Sequence, residues 1–317
     1  MSPSLWVYAA AFVGSALLSW LLVQFSIRLA HWGGLMDAPD GERKLQARPI
    51  PKVGGIAVAL AFTVVFLVAV GFSGDVTAFQ LLASVLLPAL GVAVLGFLDD
   101  IKPLDPWLRL AIQALLALSV WWMGTRIEVS GVAAIDLALT VLWIVGLTNA
   151  MNLLDNADGL AAGTSVISSL GAAAIAGIYG QYFIAGLALA LAGVAAGFLW
   201  HNWAPASVYL GDAGSYFLGF LLAVVTLRLR PVGLDLPWSA LIPVLLAALP
   251  IADTCFVVVR RLREGRHPFM PGRDHLSHAV SDQGLSTRTS VMALQAFALL
   301  AVLVAAAIAF LSSTGAL

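Results

Sequence analysis

Four short polar stretches, each set between long apolar runs, hold the residues able to do chemistry. They are Phe97-Leu98-Asp99-Asp100, the run from Asn149 to Gly159, the turn Leu210-Gly211-Asp212-Ala213-Gly214-Ser215, and Arg273-Asp274-His275-Leu276-Ser277-His278. Adjacent carboxylates such as Asp99 and Asp100 repel each other, so beside a membrane they call for a cation or a proton; the plainer reading is a solvated helix end. Asp155 and Asp158 share a face if a helix starts there, and Asn149 and Asn152 extend that stripe backwards at the same spacing. Helix capping explains one of these four residues, not all of them. Asp212 lies in a glycine-flanked turn, which is either an ordinary capped turn or a phosphate seat at a helix N-terminus.

Hard carboxylate oxygens without a thiolate partner suit Mg²⁺, with Mn²⁺ as the alternative. Cys255 is the lone cysteine, so neither an internal disulfide nor a cysteine-based metal cluster can form. The longest polar loop, from Arg260 to about Arg288, carries Arg260, Arg266 and Arg273 together with His275 and His278. Arginine forks match a diphosphate and sugar hydroxyls, although membrane topology accounts for some of these arginines. Two neighbouring histidines without cysteine make a zinc site the weaker reading. Asp253, seven residues before Arg260 in an apolar run, is either a functional carboxylate or the partner of an arginine near the helix end.

The elements that must position these residues are membrane helices. The chain has 317 residues, 61% of them hydrophobic and 10% charged, too apolar for a soluble domain. The expected fold is an all-α polytopic membrane protein, residues 1–317 forming one domain. About ten transmembrane helices are read near 5–30, 54–72, 78–97, 107–123, 132–149, 160–179, 183–201, 208–227, 238–259 and 290–312. The first apolar run is too long for a signal-peptide core, so it reads as a retained helix. The runs are continuous rather than alternating, which excludes a β-barrel.

With ten spans, the basic loops around residues 28–52, 102–109 and 260–288 fall on one side, against Arg126, Arg228 and Arg230 on the other. The positive-inside rule makes the first side cytoplasmic, with both termini outside, and all four polar stretches then share the cytoplasmic face. Trp32, Trp107, Trp200 and Trp203 at one interface and Trp6, Trp121, Trp122 and Trp238 at the other fit aromatic belts. The net charge of −1 says nothing about nucleic acid, but no basic tract that could follow a phosphate backbone appears, so nucleic acid is not an expected partner.

In order and topology these stretches resemble the polyprenyl-phosphate N-acetylhexosamine-1-phosphate transferases of glycosyltransferase family 4. The likeness runs from Asp37 to about Ser281. It includes an opening motif at Arg43-Lys44-Leu45-Gln46-Ala47-Arg48 through Gly55, the pair Asp99-Asp100, Asn-x-x-Asn-x-x-Asp-x-x-Asp-Gly at Asn149–Gly159, Gly-Asp-x-Gly-Ser at Gly211–Ser215, and the histidine motif at His275–His278. Three positions depart from the pattern: Gln46 and Ser277 stand where the family usually has histidine, and Asn156 where glycine is frequent. The Pro-Phe-x-Pro-x-Arg ending at Arg273 is more like the N-acetylglucosamine branch than the muramoyl-pentapeptide branch.

The resemblance implies a reaction in which UDP-N-acetylglucosamine and undecaprenyl (polyprenyl) phosphate give a polyprenyl-diphospho-sugar and UMP. It also implies site roles. Asp212, with Asp155 or Asp158, would hold Mg²⁺; Lys44, Arg273, His275 and His278 would clamp donor phosphates, with Asn149, Asn152, Arg260 and Arg266 among the substrate contacts. Asp99 or Asp100 would position the lipid phosphate and serve as base. A ping-pong route through a covalent aspartyl intermediate, another UDP-hexosamine or muramoyl-pentapeptide donor, a homodimer, and, outside enzymes, a secondary transporter are the rival expectations.

Overall fold

The computed structural model describes residues 5–33, 36–37, 49–73, 80, 82–270 and 272–315. The architecture is helical: α1 (Leu5–Gly33), α2 (Gly54–Ser73), α3 (Leu87–Ile101, entered through a π-helical turn at Leu82–Leu86), α4 (Pro106–Trp122), α5 (Ala133–Leu154), α6 (Leu160–Ile178), α7 (Tyr182–Asn202), α8 (Gly211–Arg228), α9 (Leu236–Leu246), α10 (Ala248–Arg263), α11 (Leu276–Ser281) and α12 (Thr287–Ser313). Among the described residues the only strands are the two-residue pair Met36–Asp37 and Ile50–Pro51, antiparallel with Met36 opposite Pro51.

Among the described residues seven helices are long and apolar enough to cross a bilayer, and the α9–α10 pair counts as an eighth if it is one broken span. The remaining two of the ten expected segments are also helical. One, α4, has 17 residues; the other, α8, carries Asp212 in its first turn and ends on Arg228. Leu17, Leu21, Phe25 and Leu29 on α1, and Leu300, Leu303 and Phe310 on α12, are exposed, as a lipid-facing surface requires.

The single continuous helix expected over 238–259 is corrected. The chain turns by 78° between α9 and α10, at Ala247. Pro250 has no N–H to offer the Leu246 carbonyl one turn back, so the ladder is interrupted where the bend occurs.

Helix α8 is the axis of the bundle, buried from Ala213 to Leu227 and packed against α2, α3, α5, α6 and α7. Close approach to its first turn depends on missing side chains. A β-carbon at Gly55 would lie 2.2 Å from Gly214 N, and one at Gly96 would lie 2.3 Å from the Asp212 carbonyl oxygen. Both collisions are with backbone, which gives way only if a helix shifts. Thus α2 and α3 converge on the start of α8.

Candidate active site

The site is assembled where α3, α4, α5 and α8 meet. Asp99 and Asp100 occupy the last turn of α3, and adjacent helical positions diverge by about 100°, so each finds its own partners. Asp99 pairs with Arg109 Nη1 at 2.5 Å and accepts Leu104 N at 2.7 Å. Asp105 caps α4 by accepting Trp107 N at 2.9 Å and Leu108 N at 3.2 Å, which fixes the turn that presents Arg109. Arg109 also donates to Tyr216 Oη at 3.2 Å.

Asp100 pairs with Lys52 Nζ at 2.6 Å and accepts Asp212 N at 2.9 Å and Ala213 N at 3.1 Å. Gly211, at φ +71°, lets the chain enter α8 so that these two N–H groups face Asp100. An anion is therefore seated at the N-terminus of α8 as helix electrostatics favour, but the anion is Asp100 rather than the phosphate that sequence reading allowed.

Asp212, in the first turn of α8, accepts Asn152 Nδ2 at 2.9 Å, and the same amide nitrogen lies 2.9 Å from Ser215 Oγ. Asn149 donates to Gln113 Oε1 at 2.5 Å and to the Val145 carbonyl at 2.8 Å. The expected polar stripe runs along α5 through Asn149 and Asn152 to Asp155, which closes that helix. It ends there. Because α5 stops at Leu154 and α6 starts at Leu160, Asp158 does not share a helical face with Asp155, and it accepts Ala206 N at 2.9 Å instead.

Burial, reinforced by the charge of Asp212 and opposed by Lys52, pushes the Asp155 carboxyl up to about 7. Burial raises Asp158 as well, against the pull of its hydrogen bond from Ala206. So much negative charge in one place fits a divalent cation. Among the described residues no three carboxylates or imidazoles converge to grip a metal unaided.

The loop after α10 forms a second cluster. Buried Arg261 donates Nε to Asp274 Oδ2 at 2.9 Å and Nη1 to the Pro268 carbonyl at 2.5 Å. Arg266 reaches Asp274 Oδ1 at 2.7 Å and also pairs with Glu264, while Arg260 pairs with Glu264 at 3.2 Å. Arg260 and Arg266 thus serve the loop's own architecture in this structure. Hydrogen bonds from Arg266 first, then from Arg261, hold the Asp274 carboxyl down at about 2. Its stabilising charge is therefore present above the ordinary carboxylate range near 4 and is lost only as pH falls towards 2. Asp274→Asn should leave Arg261 buried without its counter-charge and cost about 3 kcal/mol at neutral pH; thermal unfolding in detergent measures it.

Arg273 is exposed and makes no ion pair or hydrogen bond among the described residues. His275 Nδ1 lies 2.8 Å from Asp253 Oδ2, and Leu276 N donates to Asp253 Oδ1 at 2.7 Å. Fully buried Asp253 is therefore neither solitary nor paired with Arg260; it orients His275 with the proton placed on Nδ1, leaving Nε2 for other partners. The His278 ring stands edge-on to His275, with centroids 6.2 Å apart. Burial, then the charge of Arg273, lowers its pKa.

Two of the departures noted in the sequence turn out to be each other's partners: Ser277 Oγ donates to Asn156 Oδ1. That contact joins the second cluster to the turn that carries Asp155 and Asp158. Lys44 and Gln46 lie outside the described residues. Sequence reading used Lys52 and Arg109 only for the charge bias of the loops and, for Lys52, the opening motif; it gave Tyr216 and Gln113 no role. Arg109 carried the clearest signal, as a cation just inside the helix that follows the aspartate pair.

The sequence profile of glycosyl transferase family 4 matches residues 82–230. The chain is 33% identical over 293 residues to a Bacillus subtilis protein named as a probable undecaprenyl-phosphate N-acetylglucosaminyl 1-phosphate transferase, covering 89% of this chain and 79% of the relative. It is 31% identical to the decaprenyl-phosphate N-acetylglucosaminephosphotransferase of Mycolicibacterium smegmatis, over 79% of this chain and 70% of that protein. It is 30% identical to the phospho-N-acetylmuramoyl-pentapeptide-transferase of Streptococcus thermophilus, over 87% and 88%. With its apolar helices and converging polar motifs, the chain belongs to glycosyl transferase family 4, as a multi-pass membrane transferase of the polyprenyl-phosphate N-acetylhexosamine-1-phosphate class.

Proposed function

We propose that the protein transfers N-acetylglucosamine-1-phosphate from UDP-N-acetylglucosamine to undecaprenyl phosphate on the cytoplasmic face of the cell membrane, with Mg²⁺ as cofactor. The observation that carries this reading is the joining of a carboxylate cluster around Asp212 to a segment that presents Arg273, His275 and His278. The first suits a metal-bound diphosphate and the second suits anionic oxygens. The names of the Bacillus and Mycolicibacterium relatives support the N-acetylglucosamine donor, and the charge bias of the loops supports the cytoplasmic placement.

Bound Mg²⁺ would neutralise the donor diphosphate and improve UMP as leaving group. Asp212 and Asp155 are the residues to hold it, with Asn152 fixing the Asp212 carboxylate; Asp158, spent on Ala206 N, supports the turn. Arg273, His275 and His278 bind the donor phosphates.

Asp99 and Asp100 act through the cations that they hold, Arg109 and Lys52. These orient the lipid phosphate, whose second proton is lost near pH 6 without a strong base. An oxygen of that phosphate attacks the β-phosphorus. The bond from the β-phosphorus to the bridging oxygen breaks, and UMP departs with the electron pair.

The test is transfer of label from UDP-N-acetylglucosamine to undecaprenyl phosphate by purified protein in detergent. Organic-phase label with stoichiometric UMP, abolished by EDTA, is expected. Transfer from UDP-N-acetylmuramoyl-pentapeptide instead would move the donor to that of the Streptococcus relative. Absence of transfer from any UDP-sugar by folded protein would sink the reading.

A further inference from the structure

We propose that the Asn156–Ser277 hydrogen bond is a clasp that sets the donor affinity of the site, making these two residues positioning residues for the nucleoside-diphosphate moiety. This rests on the donor-binding role argued above for Arg273, His275 and His278.

The 272–282 segment is held mainly from one side. Asp253 secures His275 and Leu276 to α10. Arg261 and Arg266 secure Asp274, and Ser281 Oγ bonds Ser290 Oγ at 3.0 Å on α12. All of these anchors belong to the C-terminal part of the chain. Among the described side-chain hydrogen bonds, Ser277 to Asn156 is the one that crosses from this segment to the α5–α6 turn. Beside the packing of α10 on α5 and of α12 on α6, and the Gln295 Nε2 hydrogen bond to the Gly159 carbonyl, it tunes the separation between this segment and Asp155, the residue just before Asn156.

Both ends of the clasp are set for this contact. Ser277 is 3% exposed, so its hydroxyl has little recourse to water. Asn156 donates its own Nδ2 to the Leu153 carbonyl at 2.7 Å, which turns its Oδ1 outward from α5 to receive the serine. The hydroxyl proton of Ser277 is thereby committed, and Ser277 acts on substrate through the segment rather than by touching phosphate itself. A donor diphosphate has to meet the metal-holding carboxylates and the arginine–histidine group together. With the clasp closed, the segment carrying Arg273, His275 and His278 is already ordered against the α5–α6 turn before the donor arrives. The acceptor phosphate, expected beside Lys52 and Arg109, meets neither end of the clasp.

The experiment is a double-mutant cycle with Ser277→Ala, Asn156→Ala and the pair, plus Ser277→Thr, which keeps the hydroxyl. KM for UDP-N-acetylglucosamine, KM for undecaprenyl phosphate, kcat, and the Kd of UDP alone are measured for each, with melting temperature as control. Each alanine variant is expected to raise the donor KM and the UDP Kd about tenfold, equivalent to about 1.4 kcal/mol. The acceptor KM should stay within twofold of wild type. The double variant should be no worse than either single, since both remove the same bond, and Ser277→Thr should restore the wild-type donor KM. Additive losses, equal shifts in both KM values, or a lower melting temperature with unchanged UDP Kd would overturn the clasp. If no donor supports turnover but UDP affinity shifts as described, the transfer reading fails and the clasp stands. If the wild type is active and the variants match it, the clasp fails and the transfer reading stands.

Discussion

Asp212→Asn is expected to lower turnover by roughly a thousandfold, measured as the initial rate of UMP release, with the melting temperature within a few degrees of wild type. Asparagine keeps an oxygen at the position that accepts Asn152 Nδ2, so the start of α8 retains its hydrogen bond. What it loses is the charge. A neutral amide offers a divalent cation one weak oxygen in place of a carboxylate, and the donor diphosphate then meets Asp155 and Asp100 with less relief of repulsion. Raising the Mg²⁺ concentration should recover part of the activity, because affinity for the ion is the first property impaired. Near-normal turnover at ordinary Mg²⁺ would remove Asp212 from the metal site.

Asp100→Asn should fail differently. Asp100 accepts two backbone N–H groups of α8 and pairs with Lys52. One face of an asparagine would present its own N–H₂ to these donors, and Lys52 would lose its counter-charge. We expect a stability loss of about 2 kcal/mol together with a fall in turnover of about a hundredfold, and extra Mg²⁺ should restore neither. Pairing it with Lys52→Met should recover much of the stability and none of the activity, since removing both charges is gentler than stranding one. If Asp100→Asn melts like wild type, its carboxylate is not the N-terminal seat of α8, and the direct role in catalysis that sequence reading gave it regains weight.

The contrast between these aspartates shows what was legible in the sequence. The helices were, because lipid demands long apolar runs and little else produces them. That Asp99, Asp100, Asn152 and Asp212 belong to one site was also legible: four costly polar stretches beside a membrane have few reasons to exist apart. The division of labour among them was not. Whether Asp100 faces a substrate or the backbone of residue 212 depends on how α3 crosses α8, and that crossing is set by Gly96 meeting backbone. A single sequence does not display that contact.

The same limit explains Asp158, whose partner Ala206 lies 48 residues away. It explains Asp253 too, where the nearest arginine in sequence was the natural candidate and His275, 22 residues on, is the real partner. Arg260 and Arg266 have acidic partners within their own loop, Glu264 and Asp274, which the spacing of the arginines alone does not reveal.

The 78° bend between α9 and α10 bears on how the protein is made. Helix α9 has 11 residues, a length of about 16 Å, roughly half of a bilayer's hydrocarbon thickness. Helix α10 brings Asp253, Arg260, Arg261 and Arg263 with it. Neither half is a segment that a translocon would release into lipid as an independent stop. The pair gains a membrane-stable environment only by docking, α10 against α5 and α9 against α12. Its entry therefore waits on helices synthesised both before and after it, so the arm that holds His275 is among the last parts of the bundle to settle.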